Sequence, residues 1–259
     1  ADELAALMIL LRMTGSQGDE ASEAFFEKWK DNPLVVDKWF AVQATRPHAE
    51  VLGQVEALMD VDQFLSYLVA EIYSANADWP GNNMKLWRPK TPEGRWRWML
   101  FDLDFGFGGN GEGRSTSNTL ALATATNGPD WPNPPWSTYL FRTLLQNDGF
   151  RHAFIQRMAA HINTTFAPPR INGVIDSLQA VIAPEMPRHT TRWTRSASFG
   201  ESWESQVQIM RDFARDRPTQ MRGFVNGYFS EVPGSAFLKV GVTGGGHIQA
   251  EGVALPLGT

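Results

Sequence analysis

Residues 60–89 read DVDQFLSYLVAEIYSANADWPGNNMKLWRP, and residues 94–108 read GRWRWMLFDLDFGFG. In the first stretch Val61, Phe64, Leu65, Leu68, Val69 and Ile72 recur at i, i+3, i+4, i+7 spacing. That spacing predicts an amphipathic helix, capped by Asp60 and running to about Ser74. From Ala75 to Asn83 the Asn, Asp, Pro and Gly residues favour turn geometry, so the helix gives way to a loop. Met84 to Arg88 and Arg95 to Phe101 then predict two strands joined by residues 89–94. The second strand alternates Arg95, Trp96, Arg97, Trp98 before becoming wholly apolar, as a hairpin entering a core does. It ends in Asp102, Leu103, Asp104, Phe105 and Gly106. A strong helix followed by one small hairpin sets the fold class: mainly α with a small β-hairpin core, in the α+β sense.

The flanks agree. Upstream, Asp19 to Ala21 offers caps for a helix through Phe25, Phe26 and Trp29. Pro33 opens a second helix through Val36, Trp39 and Phe40, and Pro47 a third through Val51, Val55 and Leu58. Short helices with brief links predict an antiparallel or solenoid-like array. Downstream, Gly106 to about Pro135 is rich in Gly, Ser, Thr, Asn and Pro and predicts a long loop beside the hairpin end. Helices return through Tyr139, Leu140 and Leu144, then Phe150, Phe154 and Met158, then Ile171, Ile175 and Leu178, then Val207, Met210 and Phe213. Beyond Ala236, alternating Leu238, Val240 and Val242 before Gly244, Gly245 and Gly246 predict the first strands of a β module cut short.

Composition excludes several classes. A hydrophobic fraction of 42% and a charged fraction of 20% suit globular domains with a sizeable core. A formal charge of −5 gives no basic field for nucleic acid. The absence of cysteine removes disulfides, thiolate zinc sites and cysteine nucleophiles together. The apolar run Leu4 to Leu11 is too short to span a bilayer, and acidic residues precede it where a signal peptide carries basic ones.

Chemistry centres on four residues. Asp78 and Asn83 lie five positions apart in the loop, and Asp102 and Asp104 sit where the hairpin ends. Phosphoryl transfer needs a carboxylate to orient the acceptor hydroxyl and oxygen ligands for Mg²⁺. The kinase catalytic loop has Asp and Asn at this spacing, followed by two strands and an Asp-Phe-Gly metal site. On spacing alone, turn capping is the commoner use of such an Asp and Asn; the hairpin and the terminal Asp-Leu-Asp-Phe-Gly bring the two readings level, and a paired-carboxylate hydrolase or a transferase with a metal clamp reads much the same.

Residues 60–89 and 94–108, together with FRTLLQNDGFRHAFIQRMAAHINTTFAPPRINGVIDS (141–177), PEMPRHTTRW (184–193) and MRDFARDRPTQMRGFVNGYF (210–229), resemble the CotH kinase family in order and spacing over about residues 60–229. The resemblance implies an atypical kinase C-lobe that uses ATP with Mg²⁺ or Mn²⁺ to phosphorylate serine or threonine in secreted or spore-coat proteins, which favours an extracellular or cell-surface setting. On it Asp78 is the acceptor-orienting base and Asn83 a metal ligand. Either Asp102 or Asp104 holds the metal against the nucleotide phosphates. The chain departs from ordinary kinases in having Asn76 and Ala77 before Asp78 and Pro80 at the place of the catalytic-loop lysine. Nothing before Asp60 resembles an N-terminal lobe with a phosphate-binding lysine, so the expected activity is impaired.

The segment of about residues 1–59, in its run 18–59 and in KWKDNPLVVDKWFAVQAT (28–45) above all, is similar instead to the C-terminal helical domain of bacterial aminopeptidase N. The His-Glu-x-x-His zinc motif of that family is absent, so the segment reads as scaffold. The expected organisation is therefore a chimera: a helical segment over 1–59, a CotH-like region over 60–229, and a truncated β module over 230–259. A non-catalytic structural module of an extracellular assembly and, more weakly, a non-catalytic aminopeptidase fragment are the competing readings. Lys28, Lys30 and Lys38 read as solvated helix residues, His152, His161 and His189 lack the close spacing of a zinc clamp, and Arg188, Arg192 and Arg195 with Trp193 make a local basic cluster.

Overall fold

The computed structural model describes residues 3–4, 6–7, 16–44, 51–109, 114–126, 133–135, 137–193, 202–234, 249–250 and 253–254. These form ten helices among the described residues: α1 Ser16–Trp29, α2 Pro33–Ala44, α3 Val51–Leu58, α4 Val61–Ser74, α5 Thr119–Thr124, α6 Tyr139–Leu144, α7 Asp148–Asn163, α8 Pro168–Ile182, α9 Met186–Arg192 and α10 Trp203–Tyr228. Two antiparallel ribbons complete them: β1 Lys85–Trp87 with β2 Arg97–Met99, and β3 Gln249–Ala250 with β4 Val253–Ala254. The mainly helical class with one small central hairpin is what the periodicity predicts.

Contacts divide the chain into two units. One comprises Ala1–Ala70, Asp78–Asp102 and Ala121–Phe154, and the other Glu71–Ala77, Leu103–Leu120 and Ile155–Thr259.

The first unit is organised around Trp98 on β2. Its ring lies 4.4 Å from Phe64 of α4 and 6.2 Å from Phe40 of α2, while Phe26, Trp39 and Phe40 continue the aromatic run. Gln63 grips the same strand, accepting from the Trp98 amide at 2.8 Å and donating to its carbonyl. The predicted helix to Ser74 ends where expected, and Asp60 caps it by accepting the Gln63 amide at 3.1 Å. Asp60 also takes an ion pair from Arg97 at 2.9 Å.

The hairpin pairs Lys85 with Met99, Leu86 with Trp98 and Trp87 with Arg97. It is shorter than the predicted 84–88 and 95–101. Pro89 and Pro92 cannot donate to a ladder, and Asp102 turns into the left-handed region at φ 58°. The apolar end does not enter a core: Met99, Leu100 and Phe101 are 44%, 51% and 38% exposed, with the Lys85 ammonium over the Phe101 ring.

In the second unit, α8 packs along α10. Tyr73 at the end of α4 stacks on Phe166 at 4.0 Å and meets Phe213 of α10 edge-on. One difference from expectation stands out. The long Gly106–Pro135 loop contains a 3₁₀ turn, Arg114–Thr116, and helix α5, because Leu120 and Ala123 find burial. The alternating stretch Leu238 to Val242, Gly111 and Gly113, Pro47 and Arg195 lie outside the described residues, as does most of Leu4 to Leu11.

Candidate functional site

The loop after α4 is anchored before it presents any chemistry. Trp79 is buried and its indole donates to the Tyr67 hydroxyl at 2.9 Å, so the residue next to Asp78 is pinned to α4. The Trp79–Pro80 peptide is cis, and the Asn82 amide donates to the Asp78 carbonyl at 3.2 Å, closing a turn. That turn delivers Asn83 at φ 55°, in the left-handed region that Asn tolerates better than most residues.

Three of the four predicted residues come together in the first unit. The Asn83 amide nitrogen lies 3.4 Å from an Asp78 carboxylate oxygen and 3.5 Å from the Asp102 carbonyl. Both contacts are long, and they place the amide between the Asp78 carboxylate and the Asp102 backbone. Asn83 and Asp102 are both held at positive φ. Non-glycine residues kept there cost about 1–3 kcal/mol each and concentrate at functional sites.

The cations nearby are engaged elsewhere in the same unit. Arg97 pairs with Asp60, Arg95 donates to the Glu56 carbonyl at 3.4 Å, and Lys85 covers Phe101.

Asp104 belongs to the second unit, on a tight loop. The Gly106 amide donates to Leu103 O at 2.9 Å and the Gly109 amide to Gly106 O at 2.8 Å. The loop docks on the end of α4, where the Phe107 amide donates to Ser74 O at 2.8 Å and the Ala77 amide to Phe105 O at 3.4 Å.

The donor set fits a hard cation. Among the described residues there is no cluster of three His, Cys, Asp or Glu side chains, so a closed all-protein cage of those donors is not built. One or two carboxylates with an amide oxygen are what Mg²⁺ takes when water and phosphate complete its octahedron. A small apolar cavity under the loop, lined by Phe64, Tyr67, Trp79, Met84, Trp98 and Phe141, is too small for a nucleotide and belongs to the core.

Five of the other candidates have local partners. Lys28 pairs with Glu3 and Lys30 with Glu27, both at 2.6 Å on exposed faces. His161 shares a hydrogen bond with Thr165, and burial together with the Arg157 charge lowers its pKa. Arg188 reaches Glu185 at 3.9 Å, and Arg192 lies over Trp193.

Sequence reasoning passed over two buried charges. Glu71 and Arg217 have no exposed surface, yet both sit in phase with core residues: Glu71 follows Phe64 and Leu68, and Arg217 lies between Phe213 and Met221. An ionisable side chain at a core phase was the readable signal. Burial pushes the Glu71 carboxyl up to about 7, against a hydrogen bond from Asn76 that lowers it. Burial likewise pulls Arg217 down to about 10.

No solved structure matches the chain. Partial similarity links it to aminopeptidase N of Haemophilus influenzae, 33% identical over 93 residues. The Caulobacter vibrioides enzyme is 38% identical over 63 residues, and that of Escherichia coli 35% over 82 residues. These stretches take in 36%, 24% and 32% of the chain, which spans only 11%, 7% and 9% of the length of those relatives. The family described as CotH kinase protein matches residues 14–221, and so takes in most of the segment whose residues resemble aminopeptidase N as well as the helix, loop and hairpin that carry Asp78, Asn83 and Asp102. The chain therefore belongs to the CotH kinase protein family.

Proposed function

We propose that the chain carries a protein serine/threonine kinase site that uses ATP with Mg²⁺ or Mn²⁺. One observation carries the reading: Asn83 bridges from the Asp78 carboxylate to the Asp102 backbone across five and nineteen residues of sequence. Capping of a local turn by Asp and Asn explains a bond within 78–83 but not one to the end of a hairpin. Asp78 is the group that orients the acceptor hydroxyl and takes its proton. Asn83 fixes the Asp78 carboxylate and offers its amide oxygen as a ligand. Asp102 or Asp104 supplies the metal-binding carboxylate. When bound, the divalent ion neutralises charge on the nucleotide phosphates.

The reading extends to an atypical kinase C-lobe and to a Ser/Thr acceptor on a secreted, cell-surface or spore-coat protein. Lys28 at the end of α1 and Lys30 just beyond it are exposed and paired to glutamates, so they do not serve as the phosphate-binding cation.

The test is titration calorimetry with Mn²⁺ and ATP on the wild type and on Asp102→Ala, Asp104→Ala and the double variant. Metal-dependent nucleotide binding in the wild type is expected, weakened about tenfold or more by loss of the ligand carboxylate. The single variants assign it. No binding by the wild type sinks the kinase reading and leaves a non-catalytic module.

A further inference from the structure

Glu71 is fully buried, one turn from the C-terminus of α4, and the proposed chemistry gives it no task. An isoleucine or leucine would fill that core phase without burying an ionisable group, and a buried carboxyl costs stability unless it is hydrogen-bonded. Its Oε2 accepts the Asn76 side-chain amide at 3.0 Å, while Oε1 has no partner among the described residues. Asn76 is itself buried, and between the two residues the chain passes through Ala75 at φ 55°, a left-handed alanine. The Glu71 carbonyl meanwhile accepts the Ser74 hydroxyl at 3.0 Å. The end of α4 is thus folded back on itself by two hydrogen bonds to one residue.

That turn is the dock for the Asp104 loop. Ser74 O takes the Phe107 amide and the Ala77 amide reaches Phe105 O, one residue beyond Asp104. Gly106 sits so close that a Cβ there would meet the Ser74 Cβ at 3.2 Å. All of these residues lie within the second unit.

We propose that Glu71, through Asn76, is a positioning residue for the Asp104 loop: its carboxyl holds the 74–77 turn in the shape on which the backbone of residues 105–107 docks. The effect on the loop stands on geometry, and the consequence for metal binding at Asp104 rests on the kinase reading.

Three variants of the full chain test it: Glu71→Leu, which keeps the volume and removes the acceptor; Asn76→Ala, which removes the donor; and Glu71→Gln, which keeps an acceptor oxygen. Amide hydrogen exchange at Ala77 and Phe107 reads the dock without any ligand. Glu71→Leu and Asn76→Ala are expected to speed exchange there about tenfold or more relative to the α10 amides, and Glu71→Gln to retain near-wild-type protection. Mn²⁺ titration reads the consequence, with about tenfold weaker binding in Glu71→Leu and rescue in Glu71→Gln. Unchanged exchange in both disruptive variants overturns the proposal, as does equal damage by Glu71→Gln. A wild type that binds no Mn²⁺ while the exchange pattern holds overturns the kinase reading and leaves the positioning role intact. If Glu71→Leu fails to fold, Asn76→Ala decides.

Discussion

At the scale of single residues, the two buried charges make the firmest statements. The Glu71 carboxyl, raised from 4.5 to about 7, binds its proton more tightly folded than unfolded. Between those values the folded state keeps a proton that the unfolded state has released, so this contribution is fully present below about pH 4.5 and is lost as pH rises towards 7. The shift corresponds to about 3 kcal/mol. Glu71→Gln carries no such proton. Denaturant melts of both proteins at pH 5 and pH 8 should show the wild type losing stability relative to Gln at the higher pH, and parallel behaviour would mean that the carboxyl titrates normally. Arg217 makes a different case, because its guanidinium is satisfied by five acceptors. Its guanidinium donates to Tyr73 O at 2.9 Å, to Ile72 O and Ser115 O at 2.8 Å, to Ser117 O at 2.7 Å and to Thr119 Oγ1 at 2.6 Å. Two of these are last-turn carbonyls of α4, which a cation satisfies both by hydrogen bonding and through the helix dipole. Arg217→Met leaves the Tyr73 carbonyl buried and unpaired and the Ile72 carbonyl with the Thr119 hydroxyl alone, at a cost of about 4 kcal/mol or more. Arg217→Lys keeps the charge but not the fork and should fall between the two, as urea midpoints will show. That Asp78, Asn83 and Asp102 would lie together was legible because a hairpin brings the residues before its first strand beside those after its second. Glu71 and Arg217 were not, because periodicity marks a face as buried without saying what a charge on it will meet.

At the scale of elements, the hairpin and the Asp104 loop show where local signals run out. The strands stop after three residues because proline and a left-handed aspartate end the ladder, both visible in sequence once pairing is known. Helix α5 was invisible: six residues between Ser/Thr/Gly-rich flanks carry no period, and their helicity comes from burial of Leu120 and Ala123. Gly108 offers a sharper test. It lies at φ 86°, and a Cβ there would meet Ile209 Cγ2 of α10 at 2.6 Å. Gly108→Ala therefore combines a left-handed penalty of about 1–2 kcal/mol with a steric clash. Ile209→Ala removes the clash and leaves the backbone term. The double variant should be more stable than the sum of the single effects predicts, by roughly 0.5–3 kcal/mol, the range for residues in contact. Thermal melts of the three variants check this, and simple additivity would mean that the loop moves away from α10 instead of pressing on it.

At the scale of the whole chain, resemblance and packing draw different lines. The residue motifs alone suggest an aminopeptidase N-like segment to about residue 59 and a CotH-like region after it, with a joint near 59. The first unit runs through that joint. Phe40 of α2 is fully buried and faces Trp98, whose other neighbour is Phe64 of α4, and α2 also packs on α6. The backbone crosses it too: Trp96 donates to Leu58 O and accepts from the Asp60 amide, both at 2.9 Å. A helical segment that supplies one wall of a shared aromatic core is not an attachment, which agrees with a family match beginning at residue 14. Phe40→Ala should then cost about 3–5 kcal/mol, as truncation of a core aromatic does, and the loss should register in the fluorescence of the first unit's tryptophans. A chain started at Asp60 should go further. It uncovers Trp98 and the α6 face together, and with aromatics burying about 150–250 Å² each, the first unit loses its cooperative melt and binds a hydrophobic dye. A sharp melt and unchanged tryptophan emission from that shortened chain would mean that α1–α3 merely rest on a core complete without them. The hairpin bearing Asp102 would then owe its position to α4 alone.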